Sequence, residues 1–207
     1  MKELENRERI LAKSRELFMQ YGIRSVSMDD IAGVLGISKK TIYQYFADKE
    51  ELVGAVIQFE VCHSESQCNV DHSASANAIE EMFRSMEMVE QMFRTMNPSV
   101  LFDLKKYHPV AFGILEKHKN DYLFNIIRCN LQRGISEGLY RPEIRIDIIA
   151  RFRIDSMLMP FDPGFLQKHK VGLVEIEQQI IEHYLFGIVT LKGYKLVLKY
   201  QQKRKKT

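Results

Sequence analysis

The stretch from Ser27 to Leu52, SMDDIAGVLGISKKTIYQYFADKEEL, constrains this chain more than any other, because three short helical patterns follow one another with turn chemistry between them. Ser27 fits an N-cap with Asp30 three residues on, and Ile31, Ala32 and Leu35 then mark one apolar face. Gly36 can leave that helix at positive φ, Ile37 can return to the core, and Ser38 can cap a second helix. There Ile42 and Phe46, four apart, face inward and turn Lys40, Tyr43 and Gln44 outward, with Lys39 and Thr41 at the exposed leading end. Lysines can reach phosphates or guanine acceptors, Thr41 and Tyr43 offer hydroxyls, and Gln44 can bond an adenine edge. Asp48 with Glu51 caps a third helix and sets Lys49 beside a helix N-terminus, a favourable anion site.

On these residues, an amphipathic first helix followed by IAGVLGISKKTIYQYF and DKEEL, the chain resembles the tetracycline-repressor (TetR) family of bacterial regulators over roughly its first fifty positions. The resemblance implies DNA contacts at Lys39, Lys40, Thr41, Tyr43, Tyr45 and Lys49, with Ser27 and Met28 near the phosphate backbone. Tyr45 stands where many members have histidine, and Lys39–Lys40 where many have a small residue. The resemblance therefore carries over phosphate docking and not base preference. The plainer reading of Ile42, Tyr45 and Phe46 as core and of the lysines as solvated requires the caps, the turn glycine and the outward polar set to coincide by chance.

The chain as a whole reads as all-α. Ile10, Leu11, Leu17, Phe18 and Tyr21 form a stripe that Gly22 ends, and a helix from Asp48 is expected to reach about Cys68. After NVDHSASANA an apolar face resumes from Ile79 to Met96, and Asn97–Pro98, His108–Pro109 and Pro142 each signal a new start. A final long helix is expected from about Val174 to Gly193. The division expected is a helix-turn-helix domain over 1–50, a helical ligand-sensing and dimerisation domain over 51–194, and a basic tail over 195–207.

Charge localises the attraction to DNA. Six of the 30 Lys and Arg residues fall in the last thirteen positions, which hold no acid, leaving 24 basic against 27 acidic groups elsewhere. A local patch, not a field over the whole molecule, must attract DNA. The tail itself reads as solvated and disordered. No apolar run approaches the ~18 residues that span a bilayer, and MKELENRERI is unlike a signal peptide, so the cytoplasm is the expected location.

The last helix is apolar nearly all round from His183 to Leu191, so something must cover its outer side. Gly187 permits close approach. With the preceding helix (Ile148, Ile149, Phe152, Met157, Leu158) it suggests a four-helix homodimer interface through Phe152, Ile180, Tyr184, Gly187, Ile188 and Leu191, which the resemblance also implies; an internal helix in a larger monomer core would give the same pattern. A two-fold dimer predicts a palindromic operator.

Met82, Met86, Phe93, Phe102 and Tyr107 are soft or aromatic side chains suited to an adaptable pocket, and the family resemblance implies an effector cavity here; plain core gives the same stripe. Asp147, Arg151 and Asp155 suggest a surface ladder. Cys62, His63, Cys68 and His72 lack paired metal spacing, and three cysteines make no disulfide framework. No metal and no cofactor other than an unidentified small-molecule effector are expected. Scattered glycines and the lack of GxSxG, Walker or HExxH patterns argue against an enzyme. The expected function is a ligand-responsive repressor; the alternative is a helical protein-interaction module that does not bind DNA specifically.

Overall fold

The computed structural model describes residues 2–161 and 171–204, and all of its regular elements are helices. They are α1 (Lys2–Tyr21), α2 (Met28–Leu35), α3 (Lys39–Tyr43), α4 (Lys49–Ala74), α5 (Ala78–Thr95), α6 (Ser99–Tyr107), α7 (Pro109–Lys117), a π-helical turn (His118–Leu123), α8 (Phe124–Ser136), α9 (Ile146–Ser156), a 3-10 turn (Met159–Phe161), α10 (Leu173–Ile188) and α11 (Leu191–Arg204). The chain separates into two compact units, Met1–Ser64 with Thr95–His118 and Glu65–Arg94 with Lys119–Thr207.

In the first unit Ile10 and Phe18 of α1, Ile31 of α2, Ile42 of α3, Phe46, and Leu52, Val53 and Val56 of α4 form the core, joined by Val100, Leu104 and Ala111. Residues 95–118 are thereby fastened to the three N-terminal helices. The main-chain N–H of Asn97 donates to Met19 at 2.6 Å, and that of Arg24 to the Asp103 carboxylate at 2.9 Å. Gly22 ends α1 at φ +86°, and a Cβ there would lie 2.5 Å from the Ser99 hydroxyl. Only glycine suits both the backbone and the contact.

In the second unit Ile79, Met82 and Met86 of α5 pack with Leu131 of α8, Ala150 of α9, Ile181, Tyr184, Leu185 and Ile188 of α10, and Val197 of α11. Three sequence expectations change. The fourth helix continues past Cys68 to Ala74, so NVDHSA is helical. Pro142 opens no helix: α9 starts at Ile146, because Tyr140 forms an antiparallel bridge with Val189 and Arg141 donates to the Ile188 carbonyl. That same bridge stops the final helix at Ile188, and Thr190, whose hydroxyl accepts from the Gly193 N–H, starts α11.

The basic C-terminal stretch is ordered helix through Arg204; residues 205–207 lie outside the described residues. Tyr200 stacks on Phe83 with centroids 5.4 Å apart, Gln201 donates to Glu182, and Arg204 pairs with Glu90. These specific anchors, invisible in a run of lysines, replace the disorder that its charge suggested.

Candidate nucleic-acid interface

The helix-turn-helix forms as its caps dictate. Ser27 accepts from the Asp30 N–H at 3.1 Å while Asp30 accepts from the Ser27 N–H at 2.8 Å, closing a capping box. The Ser27 hydroxyl also donates to Asp30, and these bonds hold the Asp30 carboxyl below its ordinary pKa. Gly36 adopts the left-handed conformation at φ +66°, and Ser38 accepts from the Thr41 N–H at 3.1 Å to start α3. With Ile42 and Phe46 buried, Lys39, Lys40, Tyr43 and Gln44 are exposed on the outer side, and Thr41 and Tyr45 are half-buried at its edge. Tyr43 is 44% exposed.

Three of the nine expected contact residues carry constraints that the sequence concealed. Met28 is 5% exposed, so its side chain is core and only its main-chain N–H, at the start of α2, faces outward. Lys39 lies 2.7 Å from Asp29 of α2, which raises its pKa through that hydrogen bond. Lys49 donates to the carbonyls of Ile23 and Val26, both at 2.6 Å. Burial lowers its pKa, while the charges of Asp103 and Asp30 pull the other way. An ammonium has three donors; two close the α1–α2 loop, and one is left for a phosphate.

The first helix, expected to brace the reader through its apolar stripe, also meets it through polar residues that the sequence did not single out. The Asn6 amide donates to the Tyr45 hydroxyl at 3.5 Å, and Asn6 and Arg9 share a hollow of about 30 Å³ with Leu35, Ile37 and Thr41. No local signal could have paired Asn6 with Tyr45, 39 positions away.

Elsewhere the first unit couples its parts through polar bridges. The Arg24 guanidinium donates to the Tyr107 hydroxyl at 3.2 Å, and Glu50 of α4 bonds to His108 at the α6–α7 corner. Phe102 and Tyr107 are exposed in this unit, where they meet edge to face with centroids 6.5 Å apart. Met82, Met86 and Phe93 are instead buried in the second unit, Phe93 against Phe161. The five candidate pocket residues therefore do not line one cavity within either unit. The second unit has a polar groove of about 740 Å³ with Arg84, Glu87, Glu90, Gln178 and Glu182 on its walls.

Of the candidate interface residues, Phe152 (50% exposed) and Leu191 (83%) are open, as is Gly187, and Ile180 is half-buried. Tyr184 and Ile188, four apart on α10, face the core of their own unit together with Ile181 and Leu185. Phe186 and Tyr194, 5.5 Å apart, take the outer side. Arg151 bonds Asp155 at 3.0 Å, whereas Asp147 pairs with Arg128. All three cysteines are free, and no group of three metal-binding side chains occurs among the described residues.

The family model for bacterial regulatory proteins of the tetR family matches residues 10–56, the segment that builds this head. The HTH-type transcriptional regulator YvaF of Bacillus subtilis is 30% identical over 186 residues, covering 87% of this chain and 94% of that protein. The chain belongs to the TetR family. Its TetR relatives include the HTH-type transcriptional repressor KstR2 of Mycobacterium tuberculosis, 24% identical over 197 residues that cover 90% of this chain and 94% of the repressor. A transcriptional regulator from Saccharomonospora viridis in complex with choline shares the fold with a TM-score of 0.70 at 18% identity, over 90% of this chain and 98% of that one. As a TetR member the chain is a helix-turn-helix transcriptional regulator that binds DNA. Among the described residues no helix is long and apolar enough to cross a membrane.

Proposed function

We propose that the protein is a homodimeric repressor that binds a palindromic operator and releases it on taking up a small molecule. The observation that carries this reading is the exposed polar edge of α3, held rigid from below by Ile42 and Phe46. Lys40, Tyr43 and Gln44 enter the major groove, Lys39 and Thr41 meet its near strand, and Ser27, the Met28 N–H and Lys49 take phosphates at the next turn of backbone. Tyr45 works from the edge of α3. A repressor role is carried by KstR2, and small-molecule binding by the choline complex.

Dimerisation uses the outward apolar side chains of α9 and α10, Ile148, Phe152 and Phe186, continued by Leu191. Large apolar side chains left open to solvent on successive helices are the kind of surface that a second copy would cover. Two-fold symmetry then places the two α3 helices about one or more helical turns apart, ~34–36 Å per turn.

Effector control acts through the ties between the head and residues 97–108. Asn97, Asp103 and His108 bond to Met19, Arg24 and Glu50, so a shift of α6 or of the start of α4 moves the α1–α2 loop that Lys49 closes. A ligand shifts such an equilibrium only by its differential affinity for the two arrangements, commonly ~1–3 kcal/mol. Fluorescence anisotropy of a labelled duplex selected by the protein tests the reader: Tyr43→Ala is expected to weaken binding at least tenfold with the fold intact. Unchanged affinity in that variant would refute the assignment of α3.

A further inference from the structure

The cations of the head are nearly all committed to intramolecular partners. Lys13, Arg15 and Lys39 pair with Glu16, Glu60 and Asp29. Lys49 is held by two carbonyls, Arg24 by Tyr107, and Arg7 lies 5.0 Å over the Phe46 ring. Of the cations from Arg7 to Lys49, Lys40 and Arg9 have no partner among the described residues. Lys40 belongs to α3. Arg9 belongs to α1 and is exposed.

Its position is specific. Thr41 of α3 and Tyr45, in the turn just after it, lie toward α1, and Asn6 and Arg9, three apart, share the side of α1 that faces them. Asn6 reaches Tyr45, and Arg9 borders the hollow that touches Thr41. A helix about 10–12 Å across fills a major groove about 12 Å wide. Side chains on the flank of the inserted helix therefore meet the sugar-phosphate rim of the groove and not the base edges. A free guanidinium there matches phosphate, which it can grip with two parallel N–H donors.

The geometry points to Arg9 as a phosphate anchor on α1, outside the helix-turn-helix, that fixes how deeply and at what angle α3 docks. This rests on the DNA-binding reading above. It adds to Lys39, Lys40 and Lys49 a cation that gives up no intramolecular partner on binding, and widens the contact set sideways onto α1.

The test uses the full chain and a labelled short duplex of random sequence, titrated between about 50 and 200 mM salt. Expected for Arg9→Ala is a several-fold loss of affinity and a salt slope smaller by about 0.9 per protomer bound. Arg9→Lys should keep the slope while losing part of the affinity, because a point charge remains but the fork does not. Lys13→Ala, on the same helix but paired with Glu16, should match the parent. Circular dichroism checks that each variant is folded. Parental affinity and slope in Arg9→Ala, with Lys40→Ala weakened, would overturn the role of Arg9 and leave the DNA-binding reading standing. Lost affinity at an unchanged slope would equally overturn it, since no charge contact would have been removed. If the parent chain shows no salt-dependent binding, the DNA-binding reading fails and the anchor with it.

Discussion

The Lys39 ammonium lies 2.7 Å from the Asp29 carboxylate, joining the leading end of the reading helix to the first turn of its supporting helix. Both groups are exposed, so the pair contributes little to stability. Its consequence is for binding: a phosphate must displace Asp29, a like charge to its own. Asp29→Ala is expected to raise DNA affinity several-fold and to steepen the salt dependence by about one ion per protomer, measured by anisotropy. A weaker complex would mean that Asp29 is needed to aim Lys39.

Gly22→Ala tests how residues 95–118 are fastened to the head. Alanine at φ +86° is strained by about 1–3 kcal/mol, and its Cβ would press on the Ser99 hydroxyl. Denaturant unfolding should register at least that loss, and Ser99→Gly in the same chain should recover the contact part of it. No loss of stability would show that α6 does not press on the end of α1.

Arg153 and Glu177 form a 2.7 Å ion pair in the second unit, both nearly devoid of solvent. Removing one partner strands a buried charge, so Glu177→Leu should cost about 3–5 kcal/mol, and Arg153→Met combined with it should restore most of that. Burial raises the Glu177 pKa against the opposing pull of Arg153. At pH values between the ordinary carboxylate pKa and the raised folded one, the folded chain therefore keeps a proton that the unfolded chain has already released. The stability this group contributes is full below the ordinary carboxylate pKa and is lost as pH rises through the folded value. In Glu177→Gln that slope should vanish from the pH profile of unfolding.

Phe152 and Leu191 are open to solvent on the apolar face assigned to the dimer. Phe152→Glu with Leu191→Glu should leave helicity unchanged and convert the dimer to monomer in sedimentation velocity, with DNA affinity falling because two half-sites no longer bind together. A dimer unaffected by both changes would place the interface elsewhere.

The reading head was legible because its determinants are local: Ser27 with Asp30, Gly36, Ser38 and the Ile42–Phe46 spacing each act within a few residues. The all-α class followed from the same periodicity. What could not be read depends on distant partners. The stop at Ile188 comes from Tyr140, the order of α11 from Phe83 and Glu90, and the tether on Lys49 from carbonyls in the α1–α2 loop. The apolar run at the end of α10 mixed two faces, so Tyr184 and Ile188 looked available to a partner although their own unit buries them. Likewise, sequence proximity says nothing about which unit a side chain joins: Met82 packs in the second unit and Phe102 lies in the first.

The measurement closest to the central claim is selection of random duplex DNA by the purified protein near physiological salt, where non-specific attraction is suppressed. The account predicts an enriched inverted repeat whose half-sites are spaced by whole helical turns, with Tyr43→Ala losing the enrichment. A folded protein that enriches no sequence, with or without small molecules extracted from its own cells, would contradict it.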